Sequence, residues 1–207
     1  MSAYEETLAA IRAQFAGTET GIALEYSYAQ DHPARVNAVQ RAVDFACNKL
    51  VKHRDKKQKD SEDGLTVQIC DLLNTTGMQA THDASIGGHC DIAVEGKDDF
   101  LWLAEAKKHK DYAWLDKGFK QLSTRYTTCI PGQEHGDLLI YCFVENAKWV
   151  LDKWKDELVI RNSDVSVIED ECKNPLIFRS THLHKSSGLT LHVRHKILPL
   201  HWDPKDK

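Results

Sequence analysis

The period of the apolar positions changes along this chain, and each change marks an element. Over residues 3–15, Leu8, Ile11 and Phe15 recur at helical spacing, which predicts a short amphipathic helix. Residues 21–31 read two ways: Ile22, Leu24, Tyr26 and Tyr28 alternate as in a strand, but a helix also fits. From Ala34 to about Leu50 the helical period returns through Val36, Val39, Val43, Ala46 and Leu50, and a basic, solvated stretch at 52–59 follows. A further helix is predicted over 62–75 from Leu65, Val67, Ile69, Leu72 and Leu73, with Gly77 placed to cap its end. Beyond it the period drops to two. Met78–His82 reads as a short strand. Two apolar arms, Gly87–Val94 and Phe100–Lys107, flank the polar turn Glu95–Asp99, which is a hairpin signature.

The second half continues the alternation of helix and strand. Residues 112–127 put Leu115, Phe119, Leu122 and Tyr126 on one helical face, and Pro131-Gly132 opens a loop. The continuous run from Asp137 to Val144 is expected of a buried central strand. A helix from Asn146 to Leu158 and short strands at 165–168, 176–178 and 189–197 complete the chain. The fold class expected is α/β with mixed strand directions. The organisation expected is a mainly helical region at 1–60 and a second domain at 61–207, with its core at 62–144 and an extension at 145–207.

Composition narrows the function classes. The 42% apolar and 28% charged content is that of an ordinary globular protein, and no apolar run is long enough to span a membrane. The acidic N-terminus lacks the apolar stretch of a signal peptide. Cys47, Cys70, Cys90, Cys129, Cys142 and Cys172 show no CxxC spacing and read as reduced, cytoplasmic thiols. A net charge of −4 argues against a generally basic nucleic-acid binder but leaves room for a local basic groove. There is no Gly-rich phosphate loop and no Ser or Cys nucleophile motif.

The candidate chemistry lies in the hairpin. Pairing its arms brings Asp91 opposite or beside Glu105, and strand alternation puts Glu105 and Lys107 on one face. Two carboxylates and an ammonium in otherwise apolar segments are costly unless paired or bound to a metal. The bland alternative is an exposed hairpin with a solvated Glu–Lys pair.

With Asp91 on the second strand, Glu105-Ala106-Lys107 on the third, Glu62 in the first helix and Gln121-Leu122-Ser123-Thr124-Arg125-Tyr126 in the next, residues 62–144 resemble the PD-(D/E)XK nuclease superfamily, also called restriction-endonuclease-like. Cys90 stands where many members carry Pro. The resemblance implies an αβββαβ core with N-terminal helices and C-terminal strands added. It implies a Mg²⁺ site, with Mn²⁺ able to substitute, formed by Asp91, Glu105 and the Ala106 carbonyl, with Glu62 holding a second metal or its water shell. Lys107 would hold or deprotonate the attacking water, and Gln121 would orient the substrate or the lysine. The expected function is a Mg²⁺-dependent DNA endonuclease, of the phage-defence or restriction kind. Its expected partners are DNA, a second copy or larger assembly, and a regulatory protein, with no membrane. The alternatives are a structure-selective or RNA-directed nuclease of the same family, and a non-catalytic binding or assembly protein on the same fold.

Outside the motif, Lys108, Lys110, Lys117, Lys120 and Arg125 are candidates for phosphate contacts. Trp102 is expected in the core; Trp114 fits either core or surface. His89, two residues before Asp91, is expected on that residue's face if the strand is regular. His182, His184, His192, His195, His201 and Cys172 lack tight paired spacing, so zinc is the weaker reading of them.

Overall fold

Side-chain caps set where most of the helices begin. Thr18 Oγ1 accepts from the Gly21 N–H at 3.1 Å and Asp31 Oδ1 from Ala34 at 2.8 Å. Ser61 Oγ accepts from Gly64 at 2.9 Å, Asp111 Oδ1 from Trp114 at 2.7 Å and Asn146 Oδ1 from Trp149 at 3.0 Å. Each satisfies a backbone donor that the first helical turn leaves open. The computed structural model describes residues 3–168 and 174–206. Its six α-helices are α1 (Ala3–Phe15), α2 (Glu19–Ser27), α3 (His32–Lys52), α4 (Glu62–Thr75), α5 (Tyr112–Gln121) and α6 (Ala147–Arg161). The ambiguous segment at 21–31 is therefore largely helix, because Thr18 caps it and Ile22 is buried against α3 and α4. Ile11 of α1 is 38% exposed, so that helix leaves its apolar stripe partly uncovered. The side chain of Leu8 and all of Cys172 lie outside the described residues.

Seven strands form one mixed sheet: β1 (Gln79–Ser85), β2 (His89–Glu95), β3 (Leu101–Lys108), β4 (His135–Cys142), β5 (Ser166–Ile168), β6 (Ile177–Leu183) and β7 (Thr190–Pro199). Their spatial order is β1-β2-β3-β4-β7-β6-β5. The central pairs β3–β4 and β4–β7 are parallel; the outer pairs are antiparallel. Parallel neighbours need a crossover, and α5 supplies the one between β3 and β4. The order α4-β1-β2-β3-α5-β4 is the element order expected for residues 62–144.

Helices cover both faces. On one, α2, α3 and α4 pack Ile22, Val39, Val43, Leu65 and Ile69 against Ile92, Trp102, Ala104, Ala106 and Tyr141. On the other, α5 and α6 pack Leu115, Phe119, Leu151 and Trp154 against Leu103, Leu138, Ile140 and Ile197. The helices before residue 60 thus share a core with the sheet, and β7, from the C-terminal part, lies beside the central β4. Among the described residues no helix is long and apolar enough to cross a membrane.

The hairpin turn is clamped by α3. Asp98 and Asp99 both take left-handed backbone angles, φ 60° and 58°, as tight hairpin turns require. Arg35 donates to the Lys97 carbonyl at 3.0 Å and to Asp98 Oδ2 at 2.9 Å. This turn sets the register Val94↔Trp102 and Ile92↔Ala104, which aligns Asp91 with the Glu105 end of β3.

Candidate active site

The site forms where β2 loses its regular pairing. Its ladder with β3 ends at Ile92↔Ala104, and its ladder with β1 passes from His82↔Ile92 to Ala84↔Cys90, skipping Asp83 and Asp91. Asp83 takes a left-handed φ of 53° at this point. The strand's alternation breaks too: Ile92 packs on the α2–α4 side, while Cys90, two residues away, packs on the α5–α6 side. Among the described residues His89 makes no hydrogen bond or ion pair with Asp91. It is exposed and pairs through Nδ1 with Asp83 Oδ1 at 3.0 Å.

In β3 the alternation holds. Leu103, Glu105 and Lys107 turn to the α5 side, and Trp102, Ala104 and Ala106 to the α2–α4 side, with Trp102 in the core. Glu105 and Lys107 are 1% and 5% exposed, which removes the reading of a solvated surface pair. Lys107 Nζ donates to Glu105 Oε1 at 2.5 Å and to the Ala106 carbonyl at 3.1 Å. It lies 3.5 Å from Glu62 Oε1 and 3.8 Å from Asp91 Oδ2. Asp91 Oδ2 also accepts the Ala106 N–H at 2.8 Å, and Glu62 Oε2 accepts the Lys108 N–H. Glu62 opens α4 directly after the Ser61 cap, where the helix dipole favours a carboxylate. Four oxygen-bearing groups from α4, β2 and β3 thus surround one ammonium.

The electrostatics are unbalanced. Burial raises the Glu105 carboxyl to about 7, helped by the negative charge of Asp91 and opposed by Lys107. Burial also raises Asp91, against the Ala106 N–H and Lys107. Burial disfavours the Lys107 ammonium, but the carboxylates of Glu105, Asp91 and Glu62 outweigh it and hold its pKa above the usual lysine range. Glu105 Oε2 is buried with no hydrogen-bond partner. Three carboxylates face one ammonium, so full ionisation leaves two negative charges uncompensated.

That donor set is all hard oxygen, as Mg²⁺ or Mn²⁺ prefers, and the orphaned Glu105 Oε2 is a ligand atom without a partner. Among the described residues no group of three or more His, Cys, Asp or Glu is arranged to hold a metal ion.

The remaining sequence candidates divide. Gln121 donates to Tyr126 Oη at 3.2 Å, and Lys107 donates to Glu105 and the Ala106 carbonyl, not to the Gln121 amide oxygen. After Gln121 the helix widens into a π-turn, Leu122–Tyr126, instead of running on as α-helix to 127. Tyr126 borders the site: burial raises its pKa first, and the nearby charge of Glu105 adds to this. Lys108 turns away, donating to the Asp60 carbonyl at 3.3 Å and lying 4.1 Å from the Phe143 ring centroid. Lys120 is neutralised by Asp116 at 2.7 Å. Lys110 and Lys117 cluster on Trp114, and Arg125 is exposed on the π-turn.

Most of the C-terminal histidines have ring or hydrogen-bond partners; His182 meets Phe119 edge-on at 5.4 Å, and its buried Nδ1 has no hydrogen-bond partner among the described residues. His195 stacks on Phe178 at 4.2 Å, accepts from Trp154 Nε1 at 3.1 Å and bonds Ser180 Oγ at 2.8 Å. His184 bonds Ser187, His192 stacks on His135, and His201 bonds the Phe143 carbonyl.

One residue that periodicity did not single out is Gly118. A Cβ there would stand 2.7 Å from Lys107 Cγ and 3.4 Å from Glu105 Cγ. Only glycine lets α5 lie this close to the acid–lysine pair. The available signal was a glycine inside a helix, which costs about 1 kcal/mol against alanine and calls for a reason.

No family profile, curated protein or solved structure matches the chain.

Proposed function

We propose that this chain is a metal-dependent DNA endonuclease of the restriction-endonuclease-like kind. The observation that carries the reading is the convergence of Glu62, Asp91, Glu105 and the Ala106 carbonyl on Lys107 Nζ, where two ladders of the sheet open. Asp91, Glu105 and the Ala106 carbonyl would hold Mg²⁺ or Mn²⁺, with Glu62 beside them. The cation, when bound, supplies a water of lowered pKa and neutralises phosphate charge. Lys107 would hold the attacking water and meet the extra negative charge of the transition state. Tyr126, braced by Gln121, walls the site on the α5 side. A role in phage defence or restriction, action as a homodimer or larger assembly, a regulatory protein partner and a cytoplasmic setting belong to the same proposal.

The test is cleavage of supercoiled plasmid, and of matched DNA and RNA oligonucleotides, in Mg²⁺, Mn²⁺, Ca²⁺ and EDTA. Cleavage of DNA in Mg²⁺ or Mn²⁺ is expected, with binding but little turnover in Ca²⁺, whose larger shell activates water poorly. Cleavage persisting in excess EDTA, or no cleavage in any metal, would overturn the proposal.

A further inference from the structure

Beside Lys107 lies a feature that the metal chemistry does not use. Trp114 sits in the first turn of α5, its N–H fixed by Asp111, with its ring half-buried. Three ammonium groups surround that ring: Lys110 at 3.8 Å from the centroid, Lys117 at 4.9 Å and Lys107 at 5.4 Å. Lys110 and Lys117 are exposed and make no ion pair among the described residues, unlike Lys120, which Asp116 neutralises. A tryptophan held for packing alone has no need of three cations. Lys110 and Lys117 cover the ring with exposed, flexible stems that cost little to move, whereas Lys107 is held in place by the carboxylates. Another flat π-face can replace those stems on the ring, and the freed ammonium groups can take up anions next to it.

A nucleobase with its flanking phosphates has this chemistry. Stacking on an aromatic ring is tolerant of base identity, and lysines supply the phosphate contacts. Lys107 joins the ring to the acid cluster, so a base on Trp114 lies next to the phosphate at Lys107. Lys117 also borders a separate cavity along α5, lined further by Lys120, Gln121 and Arg125 together with Asp116. A base stacked on tryptophan cannot also be stacked inside a duplex. We propose that Trp114, with Lys110 and Lys117, holds an unpaired base and its neighbouring phosphates beside Lys107. The chain would then prefer single-stranded or locally unpaired nucleic acid to intact duplex. This rests on reading the acid–lysine cluster as a nuclease centre.

The experiment measures binding without cleavage. Fluorescence anisotropy in EDTA compares a labelled single-stranded oligonucleotide with its blunt duplex, on wild type, Trp114→Leu, Trp114→Phe and Lys110→Gln/Lys117→Gln, each checked by circular dichroism. Tighter binding of the single strand is expected for the wild type. Trp114→Leu keeps apolar packing and should weaken single-strand binding about tenfold, with duplex binding nearly unchanged; Trp114→Phe should recover part of the loss. The double lysine variant should weaken both and flatten the salt dependence. Wild-type single-strand affinity in Trp114→Leu, or equal losses on both forms, would overturn the proposal. Should Trp114→Leu fail to fold, full wild-type affinity in Trp114→Phe combined with no single-strand preference in the wild type would overturn it equally. Failure of the nuclease reading has a separate signature: this binding pattern present, with no metal-dependent cleavage of either form.

Discussion

The molecule buries two clusters of charge, and they are built to opposite rules. On the α3 side, Arg194 bonds Asp137 through Nε at 2.7 Å and Asp44 through Nη1 at 2.9 Å. Gln40 donates to Asp137 Oδ1 at 3.1 Å, and Lys196 pairs with Asp44 at 3.1 Å. Two cations meet two carboxylates, and Asp137 and Arg194 are 0% and 2% exposed. Burial works against both, yet the Asp44 and Asp137 charges hold the Arg194 guanidinium firmly protonated. At the Lys107 cluster, three carboxylates share one ammonium and Glu105 Oε2 has no partner. The first cluster is balanced and ties α3 to β4 and β7. The second is left short of positive charge. A balanced buried network positions elements, whereas on the proposed reading the unbalanced one would take up a cation from outside.

The largest expected contrast comes from deleting one acid in each cluster. Asp137→Ala leaves Arg194 buried and unpaired, and should cost about 3–5 kcal/mol of stability in denaturant titrations. Asp91→Asn and Glu105→Gln should lower cleavage by about a thousandfold or more, the several kcal/mol a metal contributes, while melting no lower than wild type in metal-free buffer at neutral pH. Unfolding of Glu105→Gln to the same degree as Asp137→Ala would erase the distinction.

Lys107→Ala sharpens it next. On the proposed reading the lysine acts on the reacting water, so its removal should slow single-turnover cleavage by about 10²–10⁴-fold with DNA binding in Ca²⁺ almost unchanged. A wild-type single-turnover rate would remove Lys107 from the chemistry.

Gly118→Ala should follow with about a tenfold fall in turnover. The added methyl pushes Lys107 by an ångström or less, and small misplacements of reacting groups are costly. The helix-propensity gain of about 1 kcal/mol partly offsets the crowding, so the melting temperature should move little. Unaltered turnover would show that α5 tolerates the methyl without disturbing the pair.

The smallest effect is one of pH on metal-free stability. The folded Glu105 carboxyl titrates at about 7 against an ordinary 4.5, so the fold binds a proton that the unfolded chain releases. Its contribution to stability is fully present below 4.5 and is lost as pH rises toward about 7. The melting temperature of Glu105→Gln relative to wild type should therefore climb across that window and level off above it. A variant that melts progressively lower than wild type across it would mean that the contact with Lys107 outweighs burial.

Much of the frame was legible in the residues. The helix predicted at 62–75 is α4, because its apolar spacing and its cap at Ser61 agree. The hairpin followed from two apolar arms about an Asp- and Gly-rich turn, and strand alternation placed Glu105 beside Lys107. What failed was whatever depended on a partner far along the chain. His89 was expected on the Asp91 face; it is exposed and pairs with Asp83 beside the break in the ladder. Asp137 read as one end of an apolar run, and Arg194 and Lys196 as ordinary strand residues; only the packing of α3 onto the sheet made them a buried network. The predicted helix at 112–127 became a π-turn where Tyr126 reaches the site.

By itself the sequence determined the local order: which segments coil, which extend, where they are capped, and which residues of β3 share a face. Those follow from interactions a few residues apart, which periodicity and capping chemistry record directly. The tertiary structure alone decided that Glu62 from α4, Asp91 from a broken strand and a glycine of α5 would meet at one lysine. It also decided that in a second charge cluster Arg194 and Lys196 would each meet a carboxylate. Burial, and with it the raised pKa of Glu105, exists only once distant elements have excluded water from the same point.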